Sequence, residues 1–330
     1  MSSIMTNASA LTALQSLNAT QKSLDTTQAR ISTGYRVSEA SDNAAYWSIA
    51  TTMRSDNQAM STVSDSLGLG ASKVDTAYTG INSAIDTINS IKEKLTASYG
   101  QTDADKEKTQ TEIAALQKQL KAYADGATFS GTNMLSVKSA GATAADVKIV
   151  SAFNRDATGA SSISTIDVDV ESIKLYEAGA TATSKGILDS TRLGSTGAIT
   201  ATAQAPTAGA DSAAGDTYSV ATLKIFDSAT GKGFSDSQIA DQMNVVDAAL
   251  KDMTTAATKL GAAKSSIDLQ KTFTQSLMDS IDRGVGQLVD ADMNKESTRL
   301  QALQVQQQLG VQALSIANGS SQSILSLFRG

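Results

Sequence analysis

The sequence predicts a mainly α-helical protein with a β-rich insertion. Long coiled-coil arms run in from both termini, form a bundle, and carry a small outer domain of α+β or β type. Three observations lead there. Pro206 is the only proline among 330 residues, so the strongest breaker of helix interiors is nearly missing. An alternating three-four ladder of fifteen positions runs from Tyr46 to Leu95, and only Asp56 and Gly70 depart from its apolar or small character. Between about Val137 and Ser235 the chain changes to a mixture in which Ala, Ser, Thr and Gly exceed half.

Taken in order, the first zone is Met1 to Gln21, uncharged throughout. Leu14, Leu17, Leu24 and Ile31 fall on one heptad seam, with Gln21 and Gln28 at the intervening positions. Then comes the ladder, including Met53, Met60, Val63, Leu67, Val74, Ile81, Ile88 and Ile91. A seven-residue repeat sustained this far predicts a supercoiled helix roughly 75 Å long at 1.5 Å per residue. A second helix is expected from about Asp103 to Tyr123, with Ile113, Leu116, Leu120 and Tyr123 on one face, closed by Gly126 and the Phe129-Ser130-Gly131 turn. A third begins near Asp236 and carries Ile239, Met243, Val246, Leu250, Met253, Ala257, Leu260 and Ile267, interrupted by Lys264. The three share one seam.

In the middle zone, Ser162 to Val170 and Val220 to Phe226 alternate with period two and read as strands. The stretch from about Gly194 to Gly215 reads as a low-complexity loop. The 29 residues from Leu300 to Phe328 hold no charge; Leu300, Leu303, Leu314, Ala317, Ile324 and Phe328 share a face broken by Gln307, Gly310 and Ser321. Uncharged amphipathic ends that cannot bury their stripes alone point to packing against other subunits, hence to self-assembly.

Composition narrows the chemistry. Cysteine and histidine are both absent, which removes disulfides, thiol chemistry, His-based triads and conventional zinc sites. A net charge of −6 without a Lys/Arg cluster leaves no electrostatic footprint for nucleic acid. No apolar run approaches the roughly 20 residues of a membrane span, and the start shows no basic-then-apolar leader. The expectation is a non-enzymatic protein without cofactor or metal, either cytosolic or exported by an unconventional route. Individual residues read blandly. Trp47 is expected to pack between helices or subunits, and Asp290 and Asp292 form an exposed pair rather than a metal site, since helix positions two apart do not face each other. Gly284 and Gly286 lack the strand and the Lys-Ser/Thr of a phosphate loop and are expected to allow close helix approach. The Asn7, Asn18 and Asn318 sequons are chance.

Two motif sets carry a resemblance. On the N-terminal side stand Ala29-Arg30-Ile31-Ser32-Thr33-Gly34-Tyr35-Arg36-Val37 and Ala40-Ser41-Asp42-Asn43-Ala44-Ala45. On the C-terminal side stand Asp279-Ser280-Ile281-Asp282, Gly284-Val285-Gly286, Leu288-Val289-Asp290-Ala291-Asp292-Met293, and Leu303-Gln304-Val305-Gln306-Gln307-Gln308-Leu309-Gly310 through Ala317-Asn318. They resemble the bacterial flagellins, the filament subunits of flagella, over about the first 136 and last 95 residues. Details from Ser41 to Ala50 are similar to those of soil and plant-associated alphaproteobacteria. The resemblance implies a secreted, extracellular subunit of the swimming filament, sent unfolded through the flagellar type III apparatus. It implies a radial layout: 1–35 with 294–330 as inner terminal helices, 36–136 with 236–293 as a coiled-coil bundle, and 137–235 as a variable outer domain. Leu11, Leu14, Leu17, Leu24, Ile31, Leu300, Leu303, Leu314, Ile324 and Phe328 are the expected polymerisation core. Expected partners are further copies of the chain, sibling flagellins, an export chaperone gripping roughly 288–330, and the hook-associated junction and cap proteins. The related hook–filament junction protein and a secreted adhesin or receptor-binding module are the competing readings.

The family's immune epitopes depart here. The plant-receptor pattern has Lys, Asp, Asp and Gly where this chain has Ser41, Asp42, Asn43 and Tyr46, so only Asp42 survives. Each lost charge-assisted contact removes on the order of 1.5–3 kcal/mol. The animal-receptor stretch Gln-Arg-Val-Arg-Glu-Leu falls on Asn89 to Lys94, where Ser90 replaces the first Arg and Lys94 the Leu. Both receptors are expected to respond weakly.

Overall fold

The computed structural model describes residues 7–139, 143–156, 158–179 and 184–327, with side chains described as far as Gly319. Five helices carry it: α1 (Ala8–Thr33), α2 (Ala44–Ser98), α3 (Asp103–Gly126), α4 (Asp236–Val289) and α5 (Met293–Leu327). The chain divides into two units, Met60–Ser276 and the pair of segments Met1–Ala59 with Leu277–Gly330.

Within Met60–Ser276, α2, α3 and α4 form the predicted bundle. Every ladder residue from Met60 to Leu95 is buried, as are Ile113, Leu120 and Ala124 of α3. The buried face of α4 is broader than its heptad: Val245, Ala249 and Ala256 are as buried as Ile239, Val246, Met253, Leu260 and Ile267. The reason is that α4 serves two neighbours. Lys92–Asp247 at 2.6 Å and Lys264–Asp75 join it to α2, while Gln238, Gln242 and Asp252 hold the insertion. Lys264, which breaks the seam, is thus, among the described residues, one of two cations that bridge the two long helices. Lys94–Glu112 at 2.6 Å joins α2 to α3.

Among the described residues ten strands follow α3. β1 (Thr128–Phe129) and β2 (Thr132–Asn133) make a tight antiparallel hairpin. Its Ser130 and Gly131 both have positive φ (48° and 76°), the mirror-image turn that matches strand twist. β3 (Ser136–Val137) pairs in parallel with β6 (Tyr176–Glu177). The longest pair is β4 (Val147–Arg155) with β5 (Ser161–Val168), antiparallel with an irregularity between Val150 and Ala152. β7 (Arg192–Leu193) pairs with β8 (Thr217–Tyr218), and β9 (Phe226–Asp227) with β10 (Lys232–Gly233). The predicted strand near Ser162 is therefore β5.

The predicted strand from Val220 to Phe226 does not form. Val220–Thr222 is a 3₁₀ turn and only Phe226–Asp227 is extended in a ladder. Helix side chains take the place of a partner strand. The Gln117 amide donates to the Val220 and Leu223 carbonyls at 2.9 and 3.0 Å. Gln242 donates to the Lys224 carbonyl at 2.8 Å, and the Ile225 N–H donates to Gln110 Oε1 at 2.6 Å. With its backbone satisfied this way, the segment has no need of a ladder. The 194–215 stretch likewise forms no helix or strand, yet Gly197 N donates to Leu193 O at 2.7 Å and Ala210 N to Thr207 O at 3.2 Å.

Gly70, the glycine in the ladder, has a packing reason. A side chain there would collide with Ile149 of β4, so the glycine is a notch in α2 that receives the hairpin. A buried arginine ties the insertion to α4, and a buried lysine is paired within the insertion itself. Arg192 donates to Asp252 of α4 at 2.6 Å and to the Gly197 carbonyl at 3.2 Å. Lys174, fully buried, sits 2.9 Å from both Glu171 and Glu177.

In the other unit, α1 ends at Gly34, whose φ of 75° makes the left-handed cap that lets the chain leave the helix. Tyr35 then bridges to Asp290, Arg36 N and Val37 N donate to Val289 O, and Ala291 N donates to Gly34 O. Val37, Ala50, Val285 and Val289 form a small core there. The ladder's first positions are corrected here. Tyr46 and Ile49 are exposed while Ala50 is buried, because this small core sits one position round the helix from the heptad seam.

Candidate assembly surface on the paired terminal helices

The N- and C-terminal helices lie side by side, and each end is built from local chemistry. Asn7 caps α1: its Oδ1 accepts from Ala10 N at 3.0 Å, while its Nδ2 donates to Ala317 O of α5 at 2.8 Å. A residue read as a chance sequon is therefore the clasp between the two helices. At the other end Asp292 caps α5 by accepting from Asn294 N and Lys295 N, and Arg30 of α1 pairs with Glu296 at 3.4 Å. Asp290 and Asp292 thus do separate jobs: a backbone bridge and a helix cap.

The stripe these helices share is narrow. On α1, Leu24 and Thr27 are buried, and Ala13, Leu17, Thr20 and Ile31 half-buried. On α5, Leu303 is buried, and Leu300, Gln307, Gly310, Leu314 and Ala317 half-buried. The predicted seam is rotated: Leu14 and Gln28 are exposed, and small Ala13, Thr20 and Thr27 replace them. Small residues permit the closeness seen at Gly310, where an added Cβ would sit 3.2 Å from Leu17 Cδ1. Gln307 donates to Gln21 across the pair at 2.8 Å, so the polar seam positions satisfy each other. Ser321, Ile324 and Phe328 lie outside the described side chains.

Among the described residues a second apolar row on α5 has no cover. Val305, Leu309 and Ile316 are 55%, 58% and 73% exposed. At about 100° per residue they fall within about 40° of one another, roughly opposite Leu303 and Leu314. On α1, Leu11 (59% exposed) lies nearly opposite the shared stripe and Leu14 beside it. Sequence reading finds Leu11 and Leu14 but misses Val305, Leu309 and Ile316. The signal is a second i, i+4, i+11 row on the same helix. A helix apolar on both faces needs neighbours on both.

Toward the base of the unit, the epitope positions are occupied with local structure. Asp42 Oδ2 accepts from Ser38 N at 3.0 Å, Glu39 N at 3.2 Å and Ser38 Oγ at 3.2 Å. Those backbone bonds, Ser38 first, lower its pKa below the usual 3.8. Asn43 caps α2 through Tyr46 N at 3.2 Å. Ser41, Tyr46 and Trp47 are exposed. In the other unit, Ser90 Oγ donates back to Asp86 O at 3.2 Å, and Lys94 is drawn to Glu112. The two helical glycines divide. A Cβ added at Gly284 would meet Met53 of α2 only at ordinary contact distance (3.8 Å), whereas at Gly286 it would sit 2.8 Å from Asp290 of the same helix end.

Among the described residues no group of three or more acidic side chains is placed to hold a metal ion, and no helix is long and apolar enough to cross a membrane. Compared with known families, residues 4–140 match the bacterial flagellin N-terminal helical region and residues 243–328 the bacterial flagellin C-terminal helical region. Among curated relatives, flagellin C of Rhizobium meliloti (strain 1021) is 48% identical over 333 aligned positions, and a flagellin of Brucella melitensis biotype 1 is 47% identical over 330. Flagellin A of Rhizobium meliloti is 42% identical over 401. Each alignment covers 100% of both chains.

Proposed function

This chain belongs to the bacterial flagellin family, and on that premise we propose that it polymerises into the extracellular flagellar filament by burying the second apolar faces of α1 and α5 against neighbouring subunits. One observation carries the reading: α5 holds a partner on one face and presents Val305, Leu309 and Ile316 on the other. Burying one such side chain contributes roughly 1.5–3 kcal/mol, and a polymer repeats the gain at every subunit. In this scheme Leu17, Leu24, Ile31, Leu300, Leu303 and Leu314 hold the α1–α5 pair, while Leu11 and Leu14 join the outward row. Ile324 and Phe328 extend the polymerisation set beyond the described side chains.

The radial order we propose places 1–35 and 294–330 innermost, 36–136 and 236–293 around them, and 137–235 outermost. Export unfolded through the flagellar type III apparatus agrees with the absence of cysteine and a single proline, since neither cross-links nor slow prolyl isomers then delay refolding. A helix-in-groove chaperone for 288–330, sibling flagellins in the same filament, and contacts to the hook-associated junction and cap proteins at its two ends complete the proposal. The named relatives are flagellins, which supports the filament subunit over a junction protein or an adhesin.

The test is growth from seeds. Purified protein, depolymerised by heat or acid, is added to short filament seeds under electron microscopy beside a truncation lacking residues 300–330. The full chain extends the seeds and the truncation does not. Failure of the full chain to extend them sinks the proposal.

A further inference from the structure

The one Asn-Gly step in the chain, Asn318-Gly319, lies on α5 inside the zone that holds no charge. Both residues are exposed. Glycine in a helix interior is costly beside alanine, because it gives up more backbone freedom and adds no packing. Gly310 has a packing reason, since an added Cβ would press on Leu17, but a Cβ added at Gly319 would meet nothing within 4 Å. Packing inside the described subunit therefore does not account for a glycine at 319. What the glycine does supply is access: with no Cβ to obstruct it, its backbone nitrogen can approach the side-chain amide of Asn318 once the helix opens.

We propose that Asn318-Gly319 is a deamidation site kept shut by the α1–α5 pair, and that its product excludes a subunit from the filament; the second half rests on the filament reading above. In the reaction the Gly319 nitrogen loses its proton to solvent and attacks Asn318 Cγ. The Cγ–Nδ2 bond breaks, Nδ2 leaves as ammonia with a proton returned by solvent, and a five-membered succinimide closes. Water then opens the ring at either carbonyl, leaving aspartate or isoaspartate. In sum, water hydrolyses one amide to one carboxylate, with no oxidant or reductant. The helix forbids the first step. In α5 the Gly319 N–H is directed back along the axis toward the carbonyl four residues earlier. A helical ψ of about −42° also holds its nitrogen out of the plane of the ring that must close. The latch is next door: Asn7 Nδ2 donates at 2.8 Å to the carbonyl of Ala317, the group whose peptide bond leads into Asn318. Once α5 leaves α1, a helix end without its partner frays and the site opens. Isoaspartate then carries the main chain through Cγ and lengthens it by one atom, so the i→i−4 ladder cannot continue past 318. The segment beyond holds Ile324 and Phe328 of the expected polymerisation set.

Trypsin cuts after Arg299 and Arg329, so one peptide, 300–329, carries the site. The unaltered chain is held at neutral pH and equal concentration as filaments and as free subunits, and mass spectrometry with fragmentation reads the modification at Asn318. Free subunits are expected to deamidate roughly ten times faster than filaments, or more, because only they open locally. Asn7→Asp tests the latch. Its carboxylate still caps α1 but donates nothing to Ala317. Losing that one hydrogen bond raises the open fraction of free subunits, and with it the rate, about fivefold. Asn318→Gln cannot close a five-membered ring, so after ageing as free protein it still extends seeds, while the aged unaltered chain leaves its isoaspartyl fraction unassembled. Equal rates in filaments and free subunits overturn the proposal. So does an unchanged rate in Asn7→Asp, or isoaspartyl chains as frequent in new filament as in the protein added. If the fresh unaltered chain fails to extend seeds, the filament reading has failed by itself, and the Asn7→Asp rate in free subunits still decides the latch.

Discussion

Ile316→Asp stops seeded filament growth while leaving the free subunit as stable as before. Ile316 is 73% exposed on α5, away from Leu303, Leu314 and the α1 contact. An exposed substitution of this kind changes the free subunit's stability by about 0.5 kcal/mol or less, the weaker helix propensity of Asp included. In the proposed filament contact the same position is buried. The variant forfeits roughly 1.5–3 kcal/mol of apolar burial and adds an unpaired carboxylate whose desolvation costs several kcal/mol more. Each 1.4 kcal/mol is a factor of about ten in the association constant. The concentration needed to extend seeds therefore rises by a factor on the order of 1,000 or more. Leu303→Ala separates the two faces. Leu303 is buried against α1, so its truncation weakens the helix pair itself, by roughly 2–5 kcal/mol if its site is as confined as a core. Circular-dichroism melts and seed extension read both. Ile316→Asp keeps the melt and loses extension; Leu303→Ala lowers the melt. Extension by Ile316→Asp at wild-type concentration would show that the outward row is not a contact.

The residues whose meaning was legible in the sequence are those whose neighbours recur at helical spacing. Met60 to Leu95 is buried at each ladder position because one long helix faces one bundle throughout. The same rule fails where a helix faces something else. Tyr46 and Ile49 leave the seam because the small Val37–Ala50–Val285–Val289 core sits at a different angle on α2. Val245, Ala249 and Ala256 join the buried face of α4 because the insertion packs there too, which no period in α4 announces.

In the insertion, alternation located β5 but misread Val220–Phe226. Strand propensity records which side chains suit a pleat, and it is silent on what will satisfy the backbone. Gln110, Gln117 and Gln242, three ordinary polar residues on two helices, decide that segment's conformation. Gly70 was visible as an interruption, but its reason lies in Ile149, distant in sequence. On the terminal helices, a single heptad phase placed Leu17, Leu24, Ile31, Leu300, Leu303 and Leu314 on the stripe that α1 and α5 share, but missed Ala13, Thr20 and Thr27. It overlooked Val305, Leu309 and Ile316, because a second apolar face on the same helix dilutes the period that reveals the first.

Lys174→Met destabilises the insertion by roughly 3–5 kcal/mol, the usual cost of stripping one partner from a buried ion pair. Lys174 has no exposed surface, and its ammonium lies 2.9 Å from Glu171, 2.9 Å from Glu177 and 3.0 Å from the Ser184 carbonyl. Without it the equally enclosed Glu177 carboxylate keeps only Ser139 N at 2.9 Å, Ser139 Oγ at 2.6 Å and Gly179 N at 2.7 Å. These contacts clasp β3 to β6, so the loss falls on the segment that joins the two strands. The cluster also sets an acid limit. Burial alone would raise the Glu177 pKa, but the bonds from Ser139, Lys174 and Gly179 outweigh it and hold the group at about 2, against an ordinary 4.5. A carboxylate depressed on folding gives its full stabilisation above the unfolded pKa, and loses it as pH falls through the folded one. Wild-type melting temperature should accordingly drop between about pH 4.5 and 2. In Lys174→Met the ammonium no longer favours the charged form, so Glu177 protonates earlier and the drop flattens or reverses. Parallel acid slopes for the two proteins would mean that Lys174 does not govern the titration of Glu177.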